Sequence, residues 1–335
     1  MIEDRTKFTY AVARIRALED RMVDEAKLLR MIDAPDFEGA HSVLNETQYA
    51  ELFDRLKVQF DFEELLRLEL RRLKGLLERL SPSNPILEAL WYKYDIHNIK
   101  LLLKAKVLGK KVDIAHLFHV GNISSDLLQS YILQGSGFIP AETRELIGNV
   151  DAEYKKSGDP EIINSLLDKE YFSRLKKVAE LNVVPFFISF VRSQIDLADI
   201  KIFLRVKTGK RDAEIFKSSF ISGGTLSLSF FLEIFDKSIE DFSGKLKFSS
   251  YGAAVSEGID LYMKEGSFVA LEKLMEDYLL DHLRFSKRLS FGIEPLIGYM
   301  FAKESEIKTL RLIFRSKMEN VPPETIKLRA GRAYV

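Results

Sequence analysis

An all-α fold is what this sequence predicts, and three observations predict it. One pattern occurs three times, as Asp95–Lys106, Asp196–Lys207 and Glu306–Lys317. It reads acid, Ile or Leu, two free positions, Ile or Leu, base, three large apolar residues, base, one free position, Lys. Each copy is punctuated as a helix: Pro85, Pro185 and Pro295 precede it, and Gly109, Gly209 and Asn320 follow it. Proline in a first turn and Gly or Asn past the last one are the expected ends of a helix. The third observation is that the apolar/polar alternation of a strand is nearly absent.

In chain order, Lys7–Leu29 reads as one long amphipathic helix with Ala11, Ile15, Leu18 and Met22 near one face. Ala34-Pro35-Asp36 breaks it. Glu51–Leu80 reads as helix, rich in Leu, Glu and Arg, and Ser81–Asn84 as a turn that caps the helix beginning at Pro85. A short apolar helix is expected near Val112–Val120, loops at Gly135–Gly137 and Lys156–Pro160, and a helix over Leu166–Leu181 that feeds the Pro185 helix. Ala270–Leu289 is its counterpart before Pro295. The tail, from Pro322 to Lys327, starts one more short helix.

On a helical wheel of the first copy, Ile96, Ile99, Leu102 and Leu103 fall in one arc of about 120°, a core-facing stripe. Lys100 and Lys104 lie opposite, as do Lys201 and Arg205 in the second copy and Arg311 and Arg315 in the third. Each repeat therefore presents a basic outer face. Asp95, Asp196 and Glu306 sit inside the apolar arc instead, and Lys106, Lys207 and Lys317 lie on it about three turns away. Ordinarily both ends of such a stripe reach solvent, because charges are rarely fully buried. The alternative is that the acid of one repeat meets a polar group of the next.

Three copies of one unit are the first feature to account for. The matches extend beyond the signature: Phe37, Leu44 and Tyr49 recur as Ile239, Leu246 and Tyr251 at the same spacings. The units are placed at residues 1–110, 111–213 and 214–335. The helix at the tail matches the one that opens units two and three, so the C-terminus is expected to complete the first unit. That implies a closed, pseudo-threefold body with an axial opening.

Composition narrows the function. The chain of 335 residues carries 50 Lys and Arg against 50 Asp and Glu, a formal net charge of zero. Phosphate binding needs a basic surplus, so nucleic acid is not expected as the main partner. Without cysteine there is no disulfide framework, thiolate metal site or cysteine nucleophile. Met-Ile-Glu-Asp-Arg at the start lacks the apolar core of a leader, and no apolar run is long enough to span a membrane. His116 and His119 are spaced for a metal but lack a third ligand nearby. Gly135-Ser136-Gly137 and Gly223-Gly224 are not followed by the Lys-Ser/Thr of a phosphate loop. No catalytic residue, cofactor or metal is expected, and Trp91 reads as core.

Trp91-Tyr92-Lys93-Tyr94-Asp95-Ile96-His97-Asn98-Ile99-Lys100, then Glu294-Pro295-Leu296-Ile297-Gly298-Tyr299 with Glu304 to Arg311, and the ending Leu328-Arg329 to Tyr334-Val335, resemble one family. It is the C subunit of archaeal and bacterial V-type ATPases and ATP synthases, homologous to the d subunit of the eukaryotic vacuolar enzyme. The resemblance covers essentially the whole chain. Asn98 matches the family's core, but Asp199 and Thr309 replace it in the other copies, so no fixed role is carried over for it. The resemblance implies a funnel of three helical domains at the cytoplasmic face of the membrane, peripheral and non-catalytic. Its partners would be the D and F subunits of the central shaft and the membrane proteolipid ring, in a motor that couples ATP to H+ or Na+ transport. The six basic residues Lys100, Lys104, Lys201, Arg205, Arg311 and Arg315 are then candidates for one of the funnel's mouths, although exposed charges are more often a solvated face. A helical-repeat scaffold for a soluble partner is the reading that the repeats alone also allow.

Overall fold

A computed structural model describes residues 5–335; the first four residues, on which much of the leader reading rests, lie outside it. The described residues are helical and contain no strand, so the fold is all-α. They form two compact units, one of the described residues up to Pro82 with Ser238–Val335, the other Ser83–Lys237.

The first stretch contains α1 (Thr9–Glu19), α2 (Glu25–Asp33), α3 (Phe37–Ser42) and α4 (Phe62–Leu80). The single helix expected over Lys7–Leu29 is thus two. Asp24 starts α2 afresh, its side chain accepting the N–H of Lys27, and the N–H of Val23 leaves the helical ladder for the Glu306 carboxylate. The helix expected from Glu51 is also interrupted. A 3-10 stretch, Gln48–Arg55, ends before Asp61 caps α4, and Phe60 between them has φ 66°.

The second stretch holds α5 (Pro85–Val107), α6 (Ser125–Gln134), α7 (Ala141–Ser157), α8 (Glu161–Asn182), α9 (Pro185–Thr208), α10 (Ala213–Ser219) and α11 (Leu228–Glu233). Asn84 caps α5 as read from the sequence, taking the N–H groups of Ile86 and Leu87. Near Val112–Val120 only one 3-10 turn forms, Ile114–His116. The core of this unit includes Trp91 on α5 and a ring cluster of Phe203, Phe216 and Phe231, with centroids 4.9–5.4 Å apart.

The last stretch returns to the first unit with α12 (Ile239–Leu246), α13 (Gly252–Glu265), α14 (Val269–Arg284), α15 (Glu294–Met318) and α16 (Pro323–Arg329). Here α15 joins the two ends of the sequence. Its Phe314 meets Phe37 of α3 and Phe62 of α4, each at 5.4 Å between centroids. Burial of such rings drives the association of these distant segments, at about 1.5–3 kcal/mol for each fully covered side chain.

Candidate functional site

The three signature acids are buried, with Asp95 0 %, Asp196 1 % and Glu306 7 % exposed. This overturns the ordinary expectation that their end of the stripe reaches solvent. Each carboxylate instead receives N–H groups from a loop beyond its own helix. Asp95 accepts from Asn122 at 2.9 Å and Ile123 at 3.0 Å. Asp196 accepts from Thr225 at 2.8 Å and Leu226 at 3.0 Å, and from the Thr225 hydroxyl. Glu306 accepts from Val23 at 2.7 Å and from the Tyr49 hydroxyl at 2.9 Å.

The register is common to all three. Ile123, Leu226 and Val23 each stand one residue before the N-cap of a helix, respectively Ser124 of α6, Ser227 of α11 and Asp24 of α2. A charge-assisted bond of this kind is worth about 1.5–3 kcal/mol, and a buried carboxylate without one would be too costly to keep. Negative charge beside a helix N-terminus is favoured by the helix dipole as well.

The terminal lysines complete the same logic at the other end. Lys317 donates to the carbonyl of Ala34, the C-cap of α2, and Lys207 to the carbonyl of Phe235, just past α11. Acid and lysine on one signature helix thus hold the two ends of a second helix that runs in the same direction. Cations belong at helix C-termini for the reason that acids belong at N-termini. Lys106 in the first copy is exposed.

In the third copy the acid belongs to a larger buried group. The Lys303 ammonium is fully covered and lies 2.7 Å from Glu69 of α4, beside Glu306, and 4.5 Å from the centre of the Tyr49 ring. Burial alone would lower its pKa, yet the two carboxylates prevail and raise it. Burial, and then the same carboxylates, push the Tyr49 hydroxyl well above its ordinary value. Tyr299, also mainly through burial, is pushed up to about 12. Nothing in the repeat pattern announces Lys303: Tyr92 and Ser193 occupy the matching positions. The one signal is that this copy carries Glu where the others carry Asp.

In the first two copies the residue three places after the acid also acts on a neighbouring loop. Asn98 clasps Phe118, accepting its N–H at 2.9 Å and donating to its carbonyl at 2.8 Å. Asp199 accepts the N–H of Ile221 at 2.9 Å. Thr309 stands at the matching position of the third copy and is buried. Between the first two copies the role persists while the side chain varies, which the change of residue type concealed.

The basic faces are less open than the wheel suggests. Lys100 pairs with Asp168 at 2.5 Å and Lys104 with Glu161 at 3.5 Å, both acids on α8. Arg311 and Arg315 share Glu63 of α4, at 3.0 and 2.6 Å. Burial pushes the Glu63 carboxyl up, but the two guanidiniums prevail and hold it below its usual range. Lys201 is half-buried and Arg205 exposed. A wheel shows which side of a helix opposes the stripe but not that a second helix covers part of that side. Pro85 and Pro185 are exposed at the first position of their helices, whereas Pro295, second in α15, is buried.

His116 lies against Asp113 and His119 against the Ser125 hydroxyl. Among the described residues no three His, Asp or Glu side chains gather as a metal site, and no helix is long and apolar enough to cross a membrane. A groove of about 500 Å³ between α7, α8 and the loop after α10 is lined by Lys169, Glu170, Lys176, Phe220 and Ile221, among others. What the shared geometry of the repeats provides is stiffness: charged grips that lock helix ends to signature helices.

Residues 11–329 match the family model described as ATP synthase (C/AC39) subunit. The chain is 29% identical to the C subunit of the A-type ATP synthase of Methanocaldococcus jannaschii, an alignment covering 98% of this chain and 87% of that protein. It is 26% identical to the C subunit of the V-type sodium ATPase of Enterococcus hirae, over 96% of this chain and 97% of the relative. With the C subunit of the A-type ATP synthase of Methanothermobacter thermautotrophicus it shares 25% identity, over 97% and 88%.

Proposed function

The chain belongs to the ATP synthase (C/AC39) subunit family, and from that premise we propose that it is the non-catalytic central-stalk socket of a rotary A/V-type enzyme. In this role it joins the rotating shaft, made of the D and F subunits, to the membrane proteolipid ring. It sits peripherally on the cytoplasmic face and transmits torque between ATP turnover and H+ or Na+ movement. The observation that carries the reading is the match along nearly the whole chain to relatives named as C subunits. The grips described above support it, since a part that passes torque must resist shear between its helices.

The three repeats, 1–110, 111–213 and 214–335, are proposed to close in a ring with the C-terminus completing the first. In support, Glu306 finds its loop at Val23, 283 residues earlier in the sequence, where a linear series of repeats would leave it none. The six basic residues are proposed to face partners. Lys201 is half-buried and Arg205 exposed, so Arg205 has surface to offer one.

The test is reconstitution of the complex in vesicles with and without this chain, measuring ATP hydrolysis beside ATP-driven ion uptake. Hydrolysis by the head is expected to persist without the chain while ion uptake is lost and the head separates from the ring. Undiminished uptake in its absence would refute the socket role.

A further inference from the structure

Asp199 is the one member of its register set that is chemically out of place. It is 1 % exposed. One oxygen, Oδ1, accepts the Ile221 N–H, while Oδ2 is buried with no hydrogen-bond partner. An ionised carboxylate can only accept, and nothing donates to Oδ2. At the matching position Asn98 makes two bonds to its loop, one as acceptor and one as donor. A protonated carboxyl has the same capacity as that amide, one acceptor and one donor. Asp196, one turn earlier on α9, is fully engaged as an acceptor, so a second anion beside it would be opposed.

We propose that Asp199 is held as the neutral acid, with its proton on Oδ2, and acts as a protonation latch on the Phe220–Gly223 loop. Protonated, it accepts the Ile221 N–H without placing a second charge beside Asp196, and so holds the loop to α9. When the proton leaves to solvent, a buried anion remains beside Asp196, and the loop loosens to let water reach it. The charged groups that act on it are few. Asp196 lies on its own helix and Lys169 on α8, whose ammonium reaches the Ser218 carbonyl. Glu214 and Lys217 on α10 pair with each other. Burial pushes the Asp199 pKa up to about 8, the Ile221 N–H and Lys169 pull it down, and Asp196 pushes it further up. The latch is therefore set close to neutral pH. Phe220 and Ile221 form one wall of the groove beside Lys169 and Lys176, so the latch controls the shape of that wall.

The sign follows from linkage. The folded pKa is above the unfolded value of 3.8, so the contribution is fully present below 3.8 and is lost as pH rises to about 8. Over that interval one proton is released on unfolding, and the folding equilibrium constant falls by up to about tenfold per pH unit, then levels. Asp199→Asn keeps the hydrogen bond from the Ile221 N–H and removes the titration. The experiment is urea denaturation of the full chain from pH 5 to 9, wild type beside Asp199→Asn, with hydrogen exchange of the 219–226 segment. The ratio of the two folding constants is expected to change with pH up to about 8, and protection of the segment to fall above pH 8 in the wild type only. Parallel pH profiles would overturn the proposal. Carboxyl-carbon NMR of aspartate-labelled wild type supplies a test independent of the variant's folding. The Asp199 resonance belongs at the protonated position at pH 6, and a position typical of an ionised carboxylate there would equally refute it.

Discussion

A methyl group on Gly121 would stand 2.0 Å from Oδ1 of Asp95, inside the carboxylate's own contact surface. The second repeat reproduces this approach, with Gly224 at 2.1 Å from Oδ1 of Asp196. Both glycines immediately precede the first N–H that the acid receives. In the third repeat the matching position, three residues before the N-cap Asp24, is Arg21, not glycine, and the acid is Glu306. A glutamate reaches its loop across one more methylene, so the loop need not come as near and a side chain is tolerated.

Gly121→Ala and Gly224→Ala are accordingly expected to destabilise the chain by about 1–3 kcal/mol each, the usual cost of forcing a group into a closed contact. Chemical denaturation followed by circular dichroism measures it. A change below about 0.5 kcal/mol at both sites would mean that the carboxylate moves aside freely and that the grip is loose.

The Lys303 group should respond asymmetrically to substitution. Lys303→Met leaves Glu306 buried without its cation, while Glu69 keeps Arg72 at 2.7 Å, at a cost of about 3–5 kcal/mol. Adding Glu306→Gln removes the stranded charge and should recover part of that loss. In the wild type, the raised Lys303 pKa means that its contribution is present below the unfolded value of 10.5 and is lost only as pH rises through the still higher folded value. A double variant no more stable than Lys303→Met would show that the charges are not what the site depends on.

Glu63 gives the opposite pH dependence. Its folded pKa is below the ordinary 4.5, so its contribution is present above that value and disappears as pH falls through the folded one. Glu63→Gln should therefore flatten the acid limb of the stability profile below the ordinary 4.5. Because Arg315 is more than half exposed, the pair is screened, and the expected loss at neutral pH is about 1 kcal/mol or less. An unchanged acid limb would place the α4–α15 seam's stability in its apolar contacts alone.

Most of the helices and the three signature segments were legible because they rest on local periodicity and punctuation, while the family was legible through the resemblance of whole motifs. The acids were legible as an anomaly, charges inside an apolar arc. A contact from the acid of one repeat to a polar group of the next was the alternative that the structure bears out, but which groups they hold was not legible. Their partners are N–H groups of loops 27–30 residues away for the Asp pair and 283 residues away for Glu306. Backbone donors carry no residue signature, so sequence alone offers nothing to match them to. Lys303 and Glu69 were hidden for a related reason: their pairing depends on α4 and α15 meeting, and no repeat position encodes it. The basic faces were overread because a wheel describes one helix, whereas Asp168, Glu161 and Glu63 come from others.

The six basic residues consequently divide under charge reversal. Lys100→Glu sets two acids against each other at the α5–α8 seam, and Arg311→Glu does the same beside Glu63, so both are expected to lower stability, by about 0.5–1.5 kcal/mol. Lys201→Glu with Arg205→Glu replaces a half-buried and an exposed side chain, and the chain should stay within about 0.5 kcal/mol of wild type. If that face meets a partner in the rotary complex, vesicles carrying the double variant will hydrolyse ATP at the normal rate but take up less ion. A charge-based contact is also weakened by salt, because screening shortens the reach of charge attraction to about 8 Å at physiological ionic strength and about 3 Å at 1 M. In the wild-type complex, then, uptake should fall with added salt faster than hydrolysis does. In the double variant that difference should shrink, since the attraction it reports is already gone. Full uptake by the double variant, with the wild type's salt response, would remove this face from the interface and leave all six residues to the fold or to solvent.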